Sequence, residues 1–109
     1  MRGEFARLFE PGRIGTLELK NRIVMPPMGA RCYGLWGEVT DTAIEWFRRR
    51  SAGGCGLVIT GVAYGATAVD ALRSSHNALR VDDSAYISGL SALAEAIHEG
   101  GAKAGIQIS

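Results

Sequence analysis

The run Gly56-Leu-Val-Ile-Thr60 constrains this 109-residue chain more than any other stretch. It is apolar without alternating, so as a strand it has no face to give to water. Such strands belong to parallel sheets covered on both sides, and parallel neighbours need crossovers, usually helices. The flanking sequence supplies them. A helix begins near Thr40, with Asp41 where the helix dipole favours a negative charge and Thr42 and Glu45 at capping-box spacing. Ala43, Ile44, Trp46 and Phe47 form its apolar side, Arg48 to Arg50 its last turn, and Gly53-Gly54 its stop. A second helix starts at Asp82-Asp83-Ser84, repeats Tyr86, Leu90, Leu93, Ala94 and Ile97 at helical spacing, and ends at Gly100-Gly101. One strand precedes these elements at Arg22 to Met25, and another follows at Ala104 to Ile108. Arg13-Ile14 and Thr16 to Leu19 predict a small hairpin ahead of them all. The order is hairpin, β, α, β, α, β, which is the α/β class with a parallel sheet and right-handed crossovers.

The bulk properties narrow the function classes. Net charge is +1 and Arg48-Arg49-Arg50 is the only basic run, so no stripe neutralises phosphates and nucleic acid is not an expected partner. No apolar stretch is long enough to span a bilayer, and the charged N-terminal residues are unlike a signal peptide. The two cysteines, Cys32 and Cys55, lack CxxC spacing, so a metal site is not expected. Reduced thiols and a cytoplasmic location follow as expectations. Gly53-Gly54-Cys55-Gly56 precedes its strand, so it reads as a helix stop and not as a dinucleotide loop. The chain reaches Ser109 straight after an apolar strand. It therefore reads as residues 1–109 of a larger domain cut after the third strand, since a closed eight-stranded barrel needs about 250 residues.

Weak signals for chemistry gather at the strand ends. Ile23-Val24-Met25 stops at Pro26-Pro27, which cannot continue a regular strand, and Met28-Gly29 follow. Gly61 ends the second strand without a side chain, permitting close backbone approach to a flat ligand; simple turn geometry is the plainer reading. Gln107 interrupts Ile106 and Ile108, so its amide points away from their side chains. That amide suits a ring edge of alternating carbonyl and N–H, or else a buried glutamine satisfied by neighbouring strands. The loop from Val62 to Val81 is long enough to suggest function and holds His76, a weak catalytic candidate. His98 reads as a surface histidine near a helix end. Tyr33 and Trp36 read either as the lining of a ligand mouth or as packing anchors.

The residues together resemble the old yellow enzyme family of flavin-dependent oxidoreductases. Leu8-Phe9-Glu10-Pro11 and the stretch from Gly15 to Met28 resemble that family's hairpin and first strand. Gly37-Glu-Val-Thr-Asp41 resembles its entry to the first helix, Arg50 to Gly61 its second strand, and Gly100 to Ile108 its third. The resemblance implies the N-terminal part, a β-hairpin plus βαβαβ, of a TIM (β/α)8 barrel that holds FMN. It implies that Pro26, Pro27, Met28 and Gly29 cradle the isoalloxazine, that Gly61 and Val62 approach it, and that Gln107 bonds its pyrimidine edge. Family members take hydride from NAD(P)H and pass it to an activated C=C bond of a small-molecule substrate. The family's substrate-anchoring pair, proton-donating tyrosine and flavin-phosphate site come from later strands, so no catalytic residue is assigned. The isolated segment is expected to be inactive without the remainder of the barrel. Gly29 stands where some relatives have cysteine or threonine. Thr60-Gly61 is closer to the larger branch that adds a 4Fe-4S cluster beyond this segment, and a homo-oligomer is compatible with either branch. The rival readings are a fragment of a non-flavin α/β-barrel enzyme and a small βαβαβ binding or assembly module.

Overall fold

The computed structural model describes residues 3–65 and 78–108. After a single 3-10 turn at Ala6–Phe9, strands β1 (Gly12–Ile14) and β2 (Leu17–Leu19) form the antiparallel hairpin. Gly15 between them takes φ +58, a left-handed conformation that glycine adopts without strain. Then come β3 (Val24–Met25), α1 (Asp41–Ala52), β4 (Leu57–Tyr64), β5 (Leu79–Arg80), α2 (Ile87–Glu99) and β6 (Lys103–Ile108). β3 and β6 flank β4 in parallel, and β5 pairs with the far end of β4. The hairpin, the βαβαβ order and the parallel sheet are those expected.

Asn21 sets the entry to β3. Its Nδ2 donates to the Gly54 carbonyl at 2.7 Å and its Oδ1 accepts from the Ile23 amide at 3.1 Å. The chain entering the first strand is thereby tied to the loop entering the second. A core of Tyr33, Ala43, Phe47, Val58, Ala63, Leu79, Leu93, Ile97 and Ala102 joins the helices to the sheet. Ser51 is fully buried where the helices meet; its Oγ donates to the Ile97 carbonyl and accepts from the Ala102 amide at 3.0 Å.

Four local expectations need correction. Thr40 caps α1, accepting the Ala43 amide at 3.1 Å, so Thr42 and Glu45 do not form a capping box. Glu45 instead pairs with Arg48 and Arg49, and Arg50 lies 3.8 Å over the Trp46 ring; the arginine run is thus a surface network. The first strand is only Val24–Met25. The second does not end at Gly61 but runs to Tyr64, and the supposed loop from Val62 contains β5. Finally, Asp83 caps a 3-10 turn, Ser84–Tyr86, and the α-helix proper starts at Ile87.

The pairing of β4 with β6 shifts by one residue in passing Gly61. Thr60 sits opposite Ile106 and Val62 opposite Gln107, so Gly61 is the extra residue of a β-bulge. The core records the shift. Val58 and Ala63 are an odd number of positions apart yet enter the same core cluster, whereas an unbroken strand would turn them to opposite faces.

Candidate cofactor site

The bulge brings the strand ends together. Leaving β3, the chain runs beside β4 until the Met28–Gly29 backbone meets Gly61. Val62 follows in β4, and Gln107 of β6 lies across from it. Pro26 to Gly29, Gly61-Val62 and Gln107 therefore make a continuous row over three parallel strands. Without the extra residue at Gly61, Val62 would turn away from the Gln107 face.

Burial divides the row into a back and a front. Gly61 is buried, whereas Pro26, Met28, Gly29 and Gln107 are exposed and Pro27 and Val62 half-buried. Gln107 is exposed on β6, which pairs on one side only among the described strands. Its amide donors and acceptor are carried on β6, across β4 from the proline–methionine turn. A Cβ on Gly29 would meet nothing within 4 Å, so the backbone there is open to a neighbour. An open apolar backbone shelf with one amide at its edge fits a flat heterocycle such as the flavin ring.

Gly61 also makes a backbone contact within the chain. The space its missing side chain would fill is taken by the Met28 carbonyl: a Cβ there would lie 3.0 Å from the Met28 carbonyl carbon and 3.5 Å from the Gly29 nitrogen. Glycine at this position admits the turn after β3 on its open side, and a ligand would reach only its backbone.

Tyr33 is not part of a ligand mouth. It is 2% exposed and stacks on Phe47 with ring centroids 6.4 Å apart. The Gly61 backbone favours the ionised form of its phenol, but burial dominates and pushes it well up from its usual range. Trp36 is exposed; its carbonyl accepts the Tyr86 hydroxyl at 3.2 Å. This loop also docks through the Arg80 amide, which donates to the Gly37 carbonyl at 3.1 Å. Arg80 in turn pairs with the nearly buried Asp82 at 2.6 Å. Nothing in the sequence singled out that pair, because two loop charges side by side look like solvated surface. His98 is exposed near the end of α2, as expected, and His76 lies outside the described residues. Cys32 and Cys55 are free thiols, and no cluster of metal-binding side chains occurs among the described residues.

None of Pro26, Pro27, Met28, Gly29, Gly61, Val62 and Gln107 titrates. The row offers no acid or base of its own.

Known proteins share the sequence and fold of this chain. The chain is 43% identical over 96 residues to a metal reductase of Desulforamulus reducens, covering 88% of this chain and 14% of the relative. It is 42% identical over 106 residues to an NADH oxidase of Thermoanaerobacter brockii, covering 95% and 16%. Among solved structures, an old yellow enzyme from Pichia sp. superposes with a TM-score of 0.81 at 24% identity, over 94% of this chain and 26% of that one. The fold is accordingly the opening part of that enzyme's barrel, and the chain spans about a sixth of the curated relatives' length. A sequence model of the NADH:flavin oxidoreductase / NADH oxidase family matches residues 7–109, and the chain belongs to that family.

Proposed function

We propose that residues 1–109 form the first part of an FMN-binding (β/α)8 barrel in an NAD(P)H-dependent oxidoreductase, and supply one wall of its flavin site. The observation that carries this reading is the row of Pro26, Pro27, Met28, Gly29, Gly61, Val62 and Gln107 across three strand ends. When bound, FMN would accept hydride from NAD(P)H and pass it to an acceptor. The residues of this chain bind and orient. Pro26 to Gly29 give a stiff backbone shelf for the ring, and Val62 packs beside it. The Gln107 amide bonds the pyrimidine edge, where fixed donors favour negative charge on the reduced ring. The remainder of the barrel would bring the catalytic groups, so the 109-residue chain alone would turn nothing over.

The acceptor we favour is an activated C=C bond of a small unsaturated compound, as the old yellow enzyme likeness suggests. The names of the two relatives, a metal reductase and an NADH oxidase, favour a second reading in which electrons leave to a metal ion or another acceptor. We place the protein in the cytoplasm and leave an iron–sulfur cluster to segments outside residues 1–109.

The test is to purify the full-length protein and record its visible spectrum. Flavin absorbance, release of FMN on denaturation and NAD(P)H-dependent bleaching are expected. A colourless protein that takes up no added FMN would sink the proposal. Supplying an enone, ferric citrate or oxygen to the reduced protein then separates the acceptors.

A further inference from the structure

Arg31 holds a backbone conformation that few arginines adopt. Its φ is +52, and it is the one non-glycine residue with positive φ among the described residues. The left-handed region crowds a Cβ against the following carbonyl, so glycine is the residue that enters it freely. The chain is held on both sides of Arg31. Before it, the Met28 carbonyl lies against Gly61. After it, the Cys32 carbonyl accepts a hydrogen bond from Thr40 Oγ1, and Tyr33 is buried against Phe47. Ala30 and Cys32 pack on the core, whereas Arg31 between them is exposed. Its side chain makes no hydrogen bond, ion pair or ring contact among the described residues. A strained residue with no structural contact to offset the strain marks a candidate functional position.

The charges nearby are uneven. On the strand-end side of the sheet the described cations are Arg31 and Arg80. Arg80 is neutralised by Asp82 at 2.6 Å and lies over the Tyr86 ring. Glu38, the acid of the loop that holds Arg31, accepts the Trp36 amide at 3.1 Å instead. Arg31 keeps an uncompensated charge, two residues beyond Gly29 in a row that carries no charge of its own. Two residues span at most about 7 Å, so the guanidinium is tethered close to the backbone shelf.

We propose that Arg31 is a specificity-determining residue whose guanidinium receives the carboxylate of the acceptor, so that the preferred acceptors are small unsaturated carboxylates. This deepens the FMN reading above and rests on it. The guanidinium is a planar fork whose paired N–H donors match the two oxygens of a carboxylate. An acceptor lying on the ring beside the shelf of Pro26 to Gly29 has its charged end within reach of such a fork. The phosphates of a pyridine nucleotide fit less well, because a ribose separates them from the nicotinamide that must meet the ring. The strained backbone has a use in this setting. A residue held on both sides presents its side chain from a set point, so less freedom is lost on binding. Arg31 binds and orients only; it stays protonated and passes no proton.

The test uses the full-length protein with Arg31→Gln and Arg31→Gly. Binding is read first, by isothermal titration of cyclohexanecarboxylate and of its neutral amide, neither of which can be reduced at a C=C bond. Wild type should prefer the carboxylate. Arg31→Gln should weaken that ligand about tenfold or more and leave the amide unchanged. Turnover is then compared between cyclohexenone and a cyclohexenone carboxylate, which share an enone. Arg31→Gln should lower kcat/KM about tenfold for the carboxylate alone, through KM, with KM for NAD(P)H unchanged. Arg31→Gly should lose the same preference and melt no lower than wild type, since glycine takes a positive φ freely. A wild type with no preference for the carboxylate, or a variant that keeps the preference, overturns the proposal. So does an effect confined to KM for NAD(P)H, which would assign the guanidinium to the nucleotide phosphates. A clear loss of melting temperature in Arg31→Gly also overturns it, by making the arginine structural. If the protein takes up no FMN the functional reading falls, and there, as where neither enone is reduced, the titration alone judges Arg31. A carboxylate preference abolished by Arg31→Gln then supports the assignment, and its absence in wild type overturns it.

Discussion

Tyr33 and Thr60 are polar side chains placed in the core, and they make opposite predictions. Burial raises the Tyr33 phenol, and the nearby Cys32 raises it further, with the Gly61 backbone acting the other way. A group whose folded pKa is raised holds its stabilising proton below its unfolded value and loses that stability as pH climbs through the folded one. The fold should therefore weaken from about pH 10 upward, where an unfolded tyrosine ionises. Tyr33→Phe should move the midpoint of alkaline unfolding, followed by circular dichroism, to higher pH. An unchanged midpoint would mean that the phenol ionises without opening the core. Thr60 Oγ1 is buried with no hydrogen-bond partner among the described residues. Thr60→Val removes that hydroxyl at constant shape, so denaturant unfolding should show unchanged stability or a gain of about 1 kcal/mol. A clear loss would reveal a partner for the hydroxyl. At this scale the sequence was only partly legible. Gln107 stood out because an amide between two isoleucines breaks an apolar run. Tyr33 did not, because an aromatic in a glycine-rich loop gives no sign of whether it faces ligand or core. Gly61 was recognised as a close-approach residue, but the Met28 carbonyl on its open side was not, since sequence does not say which backbone comes near.

The elements are held by a few side chains that bridge distant segments. Thr40 both caps α1 and binds the Cys32 carbonyl, so Thr40→Ala removes two hydrogen bonds and should cost about 1–2 kcal/mol. Ser51 joins the C-terminal halves of both crossovers by bonding Ile97 and Ala102. Ser51→Ala leaves those two backbone groups unpaired in the core and should cost about 1–3 kcal/mol. Urea unfolding of each variant beside wild type measures both, and a cost near zero for Ser51→Ala would show that water replaces the hydroxyl. Element order was readable because periodicity changes cleanly between the apolar run at Leu57 and the helical stripe ending at Ile97. The boundaries were less so. Thr40 and Thr42 are equally good caps by composition, and backbone geometry chooses between them. The continuation of β4 past Gly61 was hidden because glycine reads as a stop, whereas here it is the bulge that lets the strand proceed.

At the scale of the whole molecule, β6 pairs on one side only among the described strands, and its Ile106 and Ile108 are 42% and 64% exposed. An apolar groove of about 330 Å³ adjoins it, lined by Leu90, Leu93, Ala94, Ile97, Ala104 and Ile106. An unpaired apolar strand edge templates further pairing. The 109-residue chain should therefore associate with rising concentration, and sedimentation velocity that reports a monomer throughout would contradict this. The barrel itself was legible only through resemblance, because βαβαβ order is shared by open and closed sheets; the superposition on a complete barrel supplies what periodicity cannot. One further consequence belongs to the bulge at Gly61. It acts as a parity setting for β4: residues before it and after it count faces from different origins. Deleting Gly61 would make the ladder with β6 more regular and the backbone pairing more complete, yet it would exchange inside and outside for Val62, Ala63 and Tyr64. A change of length in that strand is therefore a change of face for everything beyond it, which no single side-chain substitution can reproduce.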